Sequence, residues 1–205
     1  MMGSYNILFA GVGGQGVISA AGTLARSAIA SGLDVRMYGS YGMAQRGGSV
    51  SAHLRIGEKV LNARIEKGEV HMLIGLELIE AARWAPFLSP EGVLIANDEL
   101  IPPVGMMIKD GGAGLRELLR SLQGAVILDA GKLSGPAGSR GVNAALLGAA
   151  SSVKGFPVKA GYIGSCIREE AVGKSGPLLD AFRNGMEYFR KRGLMRGKLL
   201  PKTKL

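Results

Sequence analysis

The chain contains a single cysteine, and this scarcity limits the chemistry that it can perform alone. Cys166 is the only thiol among 205 residues, so the chain can form no intramolecular disulfide. Iron–sulfur clusters and cysteine-rich zinc sites need several thiolates, so any such centre would have to lie on another chain. Cys166 is surrounded in sequence by apolar residues such as Ile163 and Ile167, which favours a packed, inert thiol over a reactive one.

Aromatic residues and long apolar runs are also scarce. Phe, Tyr and Trp make up 5% of the chain, and they are scattered instead of clustered in a basic stretch. Proteins that bind single-stranded nucleic acid stack bases on such aromatics, so we expect no nucleic-acid partner. No basic segment precedes the first apolar run, and Arg26 interrupts the next one. These features predict a cytoplasmic protein without a membrane partner.

Acidic residues are outnumbered by basic ones, 16 against 25, which gives a formal net charge of +9. Most of the excess lies near the C-terminus, where Glu187 is outnumbered by lysines and arginines. The basic residues of this stretch are Arg183, Arg190, Lys191, Arg192, Arg196, Lys198, Lys202 and Lys204. Two interpretations stay open: a solvated terminus, or a surface that docks electrostatically on an acidic partner. We expect one domain over residues 1–193 and a basic tail over 194–205.

Apolar patterning predicts alternating strands and helices. The run 5–10 is typical of a strand buried on both faces of a parallel sheet, 16–31 has helical spacing, and 35–38 is a second strand. Later segments continue the alternation, with strands over 70–74, 93–96 and 125–128 and helices over 76–84, 115–122, 144–152 and 178–192. The sequence therefore predicts an α/β protein, a three-layer Rossmann-like domain with a mostly parallel sheet.

One segment departs from that alternation. Apolar residues at 50, 52, 54 and 56 alternate with Ser49, Ser51, His53 and Arg55, which predicts a strand with one exposed face. Residues 60–65 are expected to pair back on it as a β-hairpin and so add some antiparallel pairing. Residues 39–48 and 135–141 are rich in glycine and are predicted to be loops.

A glycine-rich motif follows the first predicted strand. Gly11, Gly13, Gly14, Gln15 and Gly16 belong to a G-x-G-x-x-G pattern that opens the first helix, where free backbone N–H groups favour a phosphate. A tight turn without a ligand is the alternative. No acidic residue ends the second strand, which disfavours an ordinary NAD-binding site. The Gly-Lys-Ser/Thr ending of an ATP-hydrolysing loop is also missing.

A second motif lies about thirty residues further on, at Gly42, Met43, Ala44, Gln45, Arg46, Gly47 and Gly48, followed by Ser49 and Val50. With Gly11–Gly16 it resembles the small subunit, called gamma or beta, of 2-oxoacid:ferredoxin oxidoreductases. The string is most similar to the indolepyruvate and ketoisovalerate type, because pyruvate and 2-oxoglutarate subunits tend to carry proline where Met43 stands. An arginine flanked by glycines can also form forked bonds to phosphate, although a paired surface arginine explains Arg46 as well.

The resemblance implies a subunit of a complex that converts a 2-oxoacid and coenzyme A to acyl-CoA and carbon dioxide while reducing ferredoxin. This chain would hold no cofactor alone and would have no catalytic residue. It would help to bind coenzyme A at a composite site and to close that site. The cofactor-binding residues would be Gly11, Gly13, Gly14, Gln15, Gly16, Gly42, Met43, Gln45, Arg46, Gly47 and Gly48. Thiamine diphosphate, Mg²⁺ and the iron–sulfur clusters would belong to partner subunits, and a homodimer of the isolated chain stays open.

Two other functions remain as alternatives. A free-standing NAD(P)-dependent oxidoreductase would use Arg36 near the ribose, and a nucleic-acid-binding module would use the basic tail. Weaker site candidates are Asp110 with Asn143, faintly similar to a thiamine site, and Asp129 at a strand end, which a helix cap explains equally well. His53 and His71 lack neighbours at ligand spacing, so packed or surface histidines are expected.

Overall fold

A six-stranded mixed sheet forms the centre of the protein. The structure is a computed structural model that describes residues 3–41, 47–103, 105–108, 110–171, 173 and 175–195. The strands are β1 (Tyr5–Val12), β2 (Asp34–Tyr41), β3 (Ser49–Gly57), β4 (Val70–Gly75), β5 (Leu88–Asn97) and β6 (Val126–Leu128). Their spatial order is β2-β3-β1-β4-β5-β6. The carboxyl ends of β1, β4, β5 and β6 meet at one edge, because these strands pair in parallel.

Both antiparallel pairings involve β3, which lies between β1 and β2. The predicted mixed sheet is thus confirmed, but the expected hairpin between β3 and residues 60–65 is wrong. Both edges of β3 are already occupied, so no ladder position remains for that segment. Side chains hold it instead: the Val60 N–H donates to Asp34 Oδ2 at 2.8 Å, and the Ile65 N–H donates to His53 Nδ1 at 3.2 Å.

The second face of β3 is more buried than its alternating pattern predicts. Ser51 and His53 are 2% and 5% exposed, although the alternation by itself predicts that both face solvent. Trp84 and Phe87 pack edge-on against the His53 ring, with centroids 5.8 and 6.3 Å away. Polar residue types suggest exposure to solvent, but these aromatic rings come from a distant part of the chain and cover the strand.

Helices cover both faces of the sheet. They are α1 (Val17–Ala30), α2 (Leu78–Trp84), α3 (Ala113–Ser121), α4 (Ala130–Ser134), α5 (Gly138–Ser151), α6 (Ala160–Glu170) and α7 (Ser175–Met195), with 3₁₀ turns at Ala85–Phe87 and Gly135–Ala137. Helices α1 and α4–α7 pack on one face, while α2 and α3 pack on the other. The prediction of a loop over residues 135–141 is wrong, because these residues form a 3₁₀ turn and the start of α5. Helix α6 was not predicted.

Strand β1 shows why the sheet needs two helical layers. Ile7 and Phe9 join the core beneath α1 and α5, whereas Leu8 and Ala10 join the core beneath α2. All four side chains are 0% exposed, and full burial of a large apolar side chain contributes about 1.5–3 kcal/mol. The predicted three-layer α/β architecture is confirmed. None of the described helices is both long and apolar enough to cross a lipid bilayer.

Candidate functional site

The two glycine-rich motifs meet in space. Strand pairing places Val12 opposite Ser49, so the residues after β1 lie beside those before β3. The Gly13 N–H donates to the Gly48 carbonyl at 2.8 Å, and the Gly47 N–H donates to the Gly13 carbonyl at 3.3 Å. Residues 42–46, which include Gly42, Met43, Gln45 and Arg46, lie outside the described part of the chain. Their predicted ligand contacts therefore stay predictions.

The loop between β1 and α1 has the conformation that its glycines allow. Gly14 and Gly16 have φ values of 104° and 82°, a region that other residues rarely adopt. The Gly13 N–H donates to the Gly48 carbonyl, and the Gln15 N–H donates to the Val12 carbonyl. Within the described residues the Gly14 and Gly16 amides have no partner, and α1 begins directly after them. The free amides and the helix start favour a bound anion at this point.

Gly11 and Gln15 lie under the loop. Gly11 is the seventh residue of β1, and a Cβ atom there would stand 2.8 Å from Gln15 Oε1 and 2.9 Å from Leu76 Cβ. The glycine therefore makes room for the Gln15 side chain. Gln15 Oε1 accepts from the Val12 N–H at 2.8 Å, while its Nε2 donates to the Leu76 carbonyl at 3.2 Å. The side chain that the motif offered as a ligand contact is thus turned towards the sheet.

An open groove of about 670 Å³ runs along the loop, between α1, α5 and α6. That volume is in the range of small-molecule sites, about 300–1,000 Å³. The Nε and Nη2 atoms of Arg26 donate to the Glu170 carboxylate at 3.0 and 2.6 Å. Arg140 donates to the Glu170 carbonyl at 3.1 Å, and among the described residues no carboxylate pairs with it. The groove therefore keeps one uncompensated positive charge.

Asn143 holds the loop from the groove side. Its Nδ2 donates to the Gln15 carbonyl at 3.1 Å and to the Gly16 carbonyl at 3.4 Å. A Cβ on Gly16 would stand 2.8 Å from that nitrogen, so the approach depends on glycine. Sequence reasoning associated Asn143 only with Asp110 in a thiamine site. That association is wrong, because Asp110 caps the start of α3 on the opposite face of the sheet.

The start of β3 is anchored to α2, which sequence reasoning did not predict. The Ser49 hydroxyl donates to Glu80 Oε2 at 2.5 Å, and Arg83 Nε donates to Glu80 Oε1 at 3.0 Å. Glu80 is 4% exposed, and a buried carboxylate needs such partners. The serine was visible in the motif, but no sequence signal linked it to a glutamate 31 residues away.

The remaining polar candidates have structural partners. His71 Nδ1 accepts from the Asn6 N–H at 2.9 Å, and burial lowers the pKa of both His53 and His71. Asp129 caps α4 by accepting from the Lys132 N–H at 2.9 Å, which lowers the pKa of its carboxyl group. Within the described ranges, no group of three His, Cys, Asp or Glu side chains is placed to hold a metal.

Known proteins resemble this chain over most of its length. Residues 6–188 match the family model described as pyruvate ferredoxin/flavodoxin oxidoreductase. Indolepyruvate oxidoreductase subunit IorB of Pyrococcus horikoshii is 35% identical over 176 residues, which are 82% of this chain and 86% of that protein.

Solved structures share the fold. The gamma subunit of a keto/oxoacid ferredoxin oxidoreductase from Geobacter sulfurreducens aligns with a TM-score of 0.68 and 21% identity, covering 91% of this chain and 99% of that one. A 2-oxoglutarate:ferredoxin oxidoreductase from Magnetococcus marinus, solved with coenzyme A bound, aligns with a TM-score of 0.64 and 18% identity. It covers this chain fully but only 32% of its own length is matched. The chain belongs to the pyruvate ferredoxin/flavodoxin oxidoreductase family.

Proposed function

We propose that this chain is the small subunit of a 2-oxoacid:ferredoxin oxidoreductase and that its glycine-rich groove binds the phosphates of coenzyme A. The observation that carries the proposal is the meeting of the two motifs. Gly14 and Gly16 present amides at the start of α1 that have no partner among the described residues, and Gly47 and Gly48 are bonded to the same loop. Sequence similarity to the indolepyruvate oxidoreductase subunit supports the assignment to such a complex.

The charges of the groove suit a pyrophosphate. Helix α1 has no acidic residue in its first turn, so its partial positive charge is not offset there. Arg140 adds a guanidinium that can form forked bonds to phosphate oxygens. We include Gly42, Met43, Gln45 and Arg46 in the proposed site, because they belong to the segment that ends at Gly47.

Other cofactors of the reaction are assigned to partner subunits. In the proposed complex, thiamine diphosphate with Mg²⁺ would supply decarboxylation, and iron–sulfur clusters would pass the electrons to ferredoxin. With Cys166 as its only cysteine, the chain lacks the thiolates that a cluster needs.

The NAD(P)-dependent alternative is not supported. In a dinucleotide-binding sheet the second strand lies next to the first and presents a residue to the ribose. Here β3 lies between β1 and β2. Arg36, the residue suggested for the ribose, donates to Asp34 at 2.6 Å, so it is already paired on the outer strand.

The test is a Gly16→Ala variant in the complex assembled with its thiamine- and cluster-bearing partners. A Cβ on Gly16 collides with Asn143 and strains a φ of 82°, which should disturb the loop amides. We expect the KM for coenzyme A to rise about tenfold or more, since a positive φ costs a non-glycine residue roughly 1–3 kcal/mol. The rate of ferredoxin or viologen reduction at several coenzyme A concentrations measures this KM.

Gly32→Ala is the matched control. Gly32 has a φ of 86° and open space around its Cβ position, so the variant carries the same backbone strain at the far end of α1. An equal coenzyme A KM in both variants would contradict the proposed site. Full activity of the partner subunits without this chain would contradict the proposed role altogether.

A further inference from the structure

The Gln15 side chain has no free hydrogen left for a ligand. A glutamine carboxamide carries two N–H donors, and Gln15 Nε2 gives them to the Leu76 carbonyl at 3.2 Å and to Glu99 Oε2 at 3.0 Å. Its Oε1 already accepts from the Val12 N–H. The most polar side chain of the glycine-rich loop is therefore engaged within the protein.

A second carboxamide shares the same two acceptors. Asn97 Nδ2 donates to the Leu76 carbonyl at 3.2 Å and to Glu99 Oε2 at 3.1 Å. The two carboxamide nitrogens and the two acceptor oxygens thus form a closed set of four hydrogen bonds. We call this set the amide bracket: the side chains of Gln15, Asn97 and Glu99 with the Leu76 carbonyl.

The amide bracket joins the ends of four strands. Gln15 bonds to Val12 at the end of β1, Leu76 follows β4, and Asn97 is the last residue of β5. Asn97 Oδ1 also accepts from the Ala130 N–H, just after β6, at 3.0 Å. Asn97 is 3% exposed, so its bonds to the Leu76 carbonyl and the Ala130 N–H are protected from competition with water, whereas the Gln15–Glu99 bond lies at the surface. The loop residue between Gly14 and Gly16 is thereby fixed to the edge of the sheet.

We infer that Gln15 is a positioning residue, which acts through Glu99 and Asn97 to orient the Gly14 and Gly16 amides. The inference rests on the proposed function, because the orientation matters only if a ligand binds there. Glu99 is exposed, yet its carboxylate is the acceptor on which both carboxamides converge. Hydrogen bonds to a charged acceptor are stronger than those between neutral groups.

A direct ligand contact by Gln15 makes a different prediction from a positioning role. If Gln15 touched the ligand, losing Glu99 would matter little and the two losses would be independent. If Gln15 acts through Glu99, removal of either residue breaks the same bracket. The double variant should then be hardly worse than the worse single variant, because residues of one hydrogen-bond network are not additive.

The experiment measures the coenzyme A KM and the kcat of the assembled complex for Q15A, E99A and the double variant. We expect each single variant to raise the KM about tenfold, with kcat per assembled complex nearly unchanged, and the double variant to stay within about twofold of the worse single one. E99Q keeps an acceptor for both carboxamides and should restore a KM near that of the unmodified complex. E117A, which removes an exposed charge on α3, is the matched control.

Two outcomes would overturn the positioning role. One is an E99A variant whose KM is close to that of the unmodified complex, or a double variant whose KM effect equals the product of two large single effects. The other is a loss of kcat or of assembled complex without a change in KM, which indicates a structural role only. If Gly16→Ala raises the KM for coenzyme A in the same series, coenzyme A binding at the loop is supported even when the positioning role of Gln15 is contradicted. If Gly16→Ala leaves that KM unchanged, the proposed coenzyme A site itself is contradicted.

Discussion

At the scale of single residues, the carboxylates at the start of α2 show how burial and hydrogen bonding oppose each other. Glu77 is 0% exposed and caps α2 by accepting from the Glu80 N–H and, at 2.9 Å, from the Ile79 N–H. These bonds favour the charged form, but desolvation is larger and raises the pKa of Glu77 above its usual 4.5. The folded protein therefore binds a proton there more tightly than the unfolded chain does.

The resulting pH dependence can be tested with Glu77→Gln. A raised pKa means that the contribution of this group to stability is fully present below pH 4.5 and is lost as the pH rises through the folded-state pKa. Glutamine does not ionise, so the free energy of unfolding of E77Q relative to the unmodified protein should increase as the pH rises above 4.5. Urea unfolding of both proteins at several pH values measures the difference. A difference that is constant or falls with pH would contradict the desolvation argument.

Residue chemistry in the sequence predicted some of these roles but not their partners. The sequence predicts packed or surface histidines, and the structure buries His53 and places His71 at an exposed position. The motif predicts a ligand contact for Gln15, and only the structure places its side chain against Leu76 and Glu99. Its partners lie 61 and 84 residues away, a separation that no local pattern reports.

At the scale of elements, α5 and α7 pack so closely that two glycines are required. A Cβ on Gly148 would stand 2.0 Å from the Phe182 carbonyl oxygen, and one on Gly185 would stand 1.9 Å from the Ala145 carbonyl oxygen. Neither backbone can move without separating the helices. Glycine lowers intrinsic helix stability by about 1 kcal/mol, so the close approach must offset that loss.

Gly148→Ala and Gly185→Ala should both destabilise the protein. Overpacking of this kind costs about 1–3 kcal/mol, and more where backbone atoms collide. For a chain of this size the Tm falls by roughly 2–4 °C per kcal/mol, which a thermal melt resolves. Gly164→Ala in α6 is the matched control, because its Cβ would meet only Leu179 Cδ2 at 3.9 Å. That variant should be neutral or slightly stabilising, and similar losses in all three variants would contradict the packing argument.

At the scale of the whole molecule, charge is distributed unevenly. The chain carries a formal net charge of +9, and four of its lysines and arginines lie beyond Met195, the last described residue, at Arg196, Lys198, Lys202 and Lys204. We propose that residues 1–193 form the domain and that residues 194–205 form a basic tail that docks on an acidic partner subunit. A basic tail would accelerate encounter with an acidic partner subunit, because long-range attraction raises association rates.

Deletion of residues 196–205 tests whether the basic tail accelerates association with the partner subunits. We expect slower association with the partner subunits at low ionic strength and a difference that shrinks as salt is added, since the screening length falls to about 10 Å at 0.1 M. Stopped-flow or surface-binding kinetics at several salt concentrations measure the rate, and a thermal melt checks that the truncated chain still folds. A rate difference that does not depend on salt would contradict electrostatic steering.

Local sequence patterns are enough to predict the α/β class, the buried character of β1 and the presence of two glycine motifs typical of one family. These follow from local periodicity and from residues whose backbone freedom is needed at fixed positions. Tertiary structure alone decided the place of β3 between β1 and β2, the burial of its polar face, and the direction of the Gln15 side chain. Those features depend on contacts between segments that are distant along the chain, where strand order and side-chain partners are chosen by the packing of the whole domain.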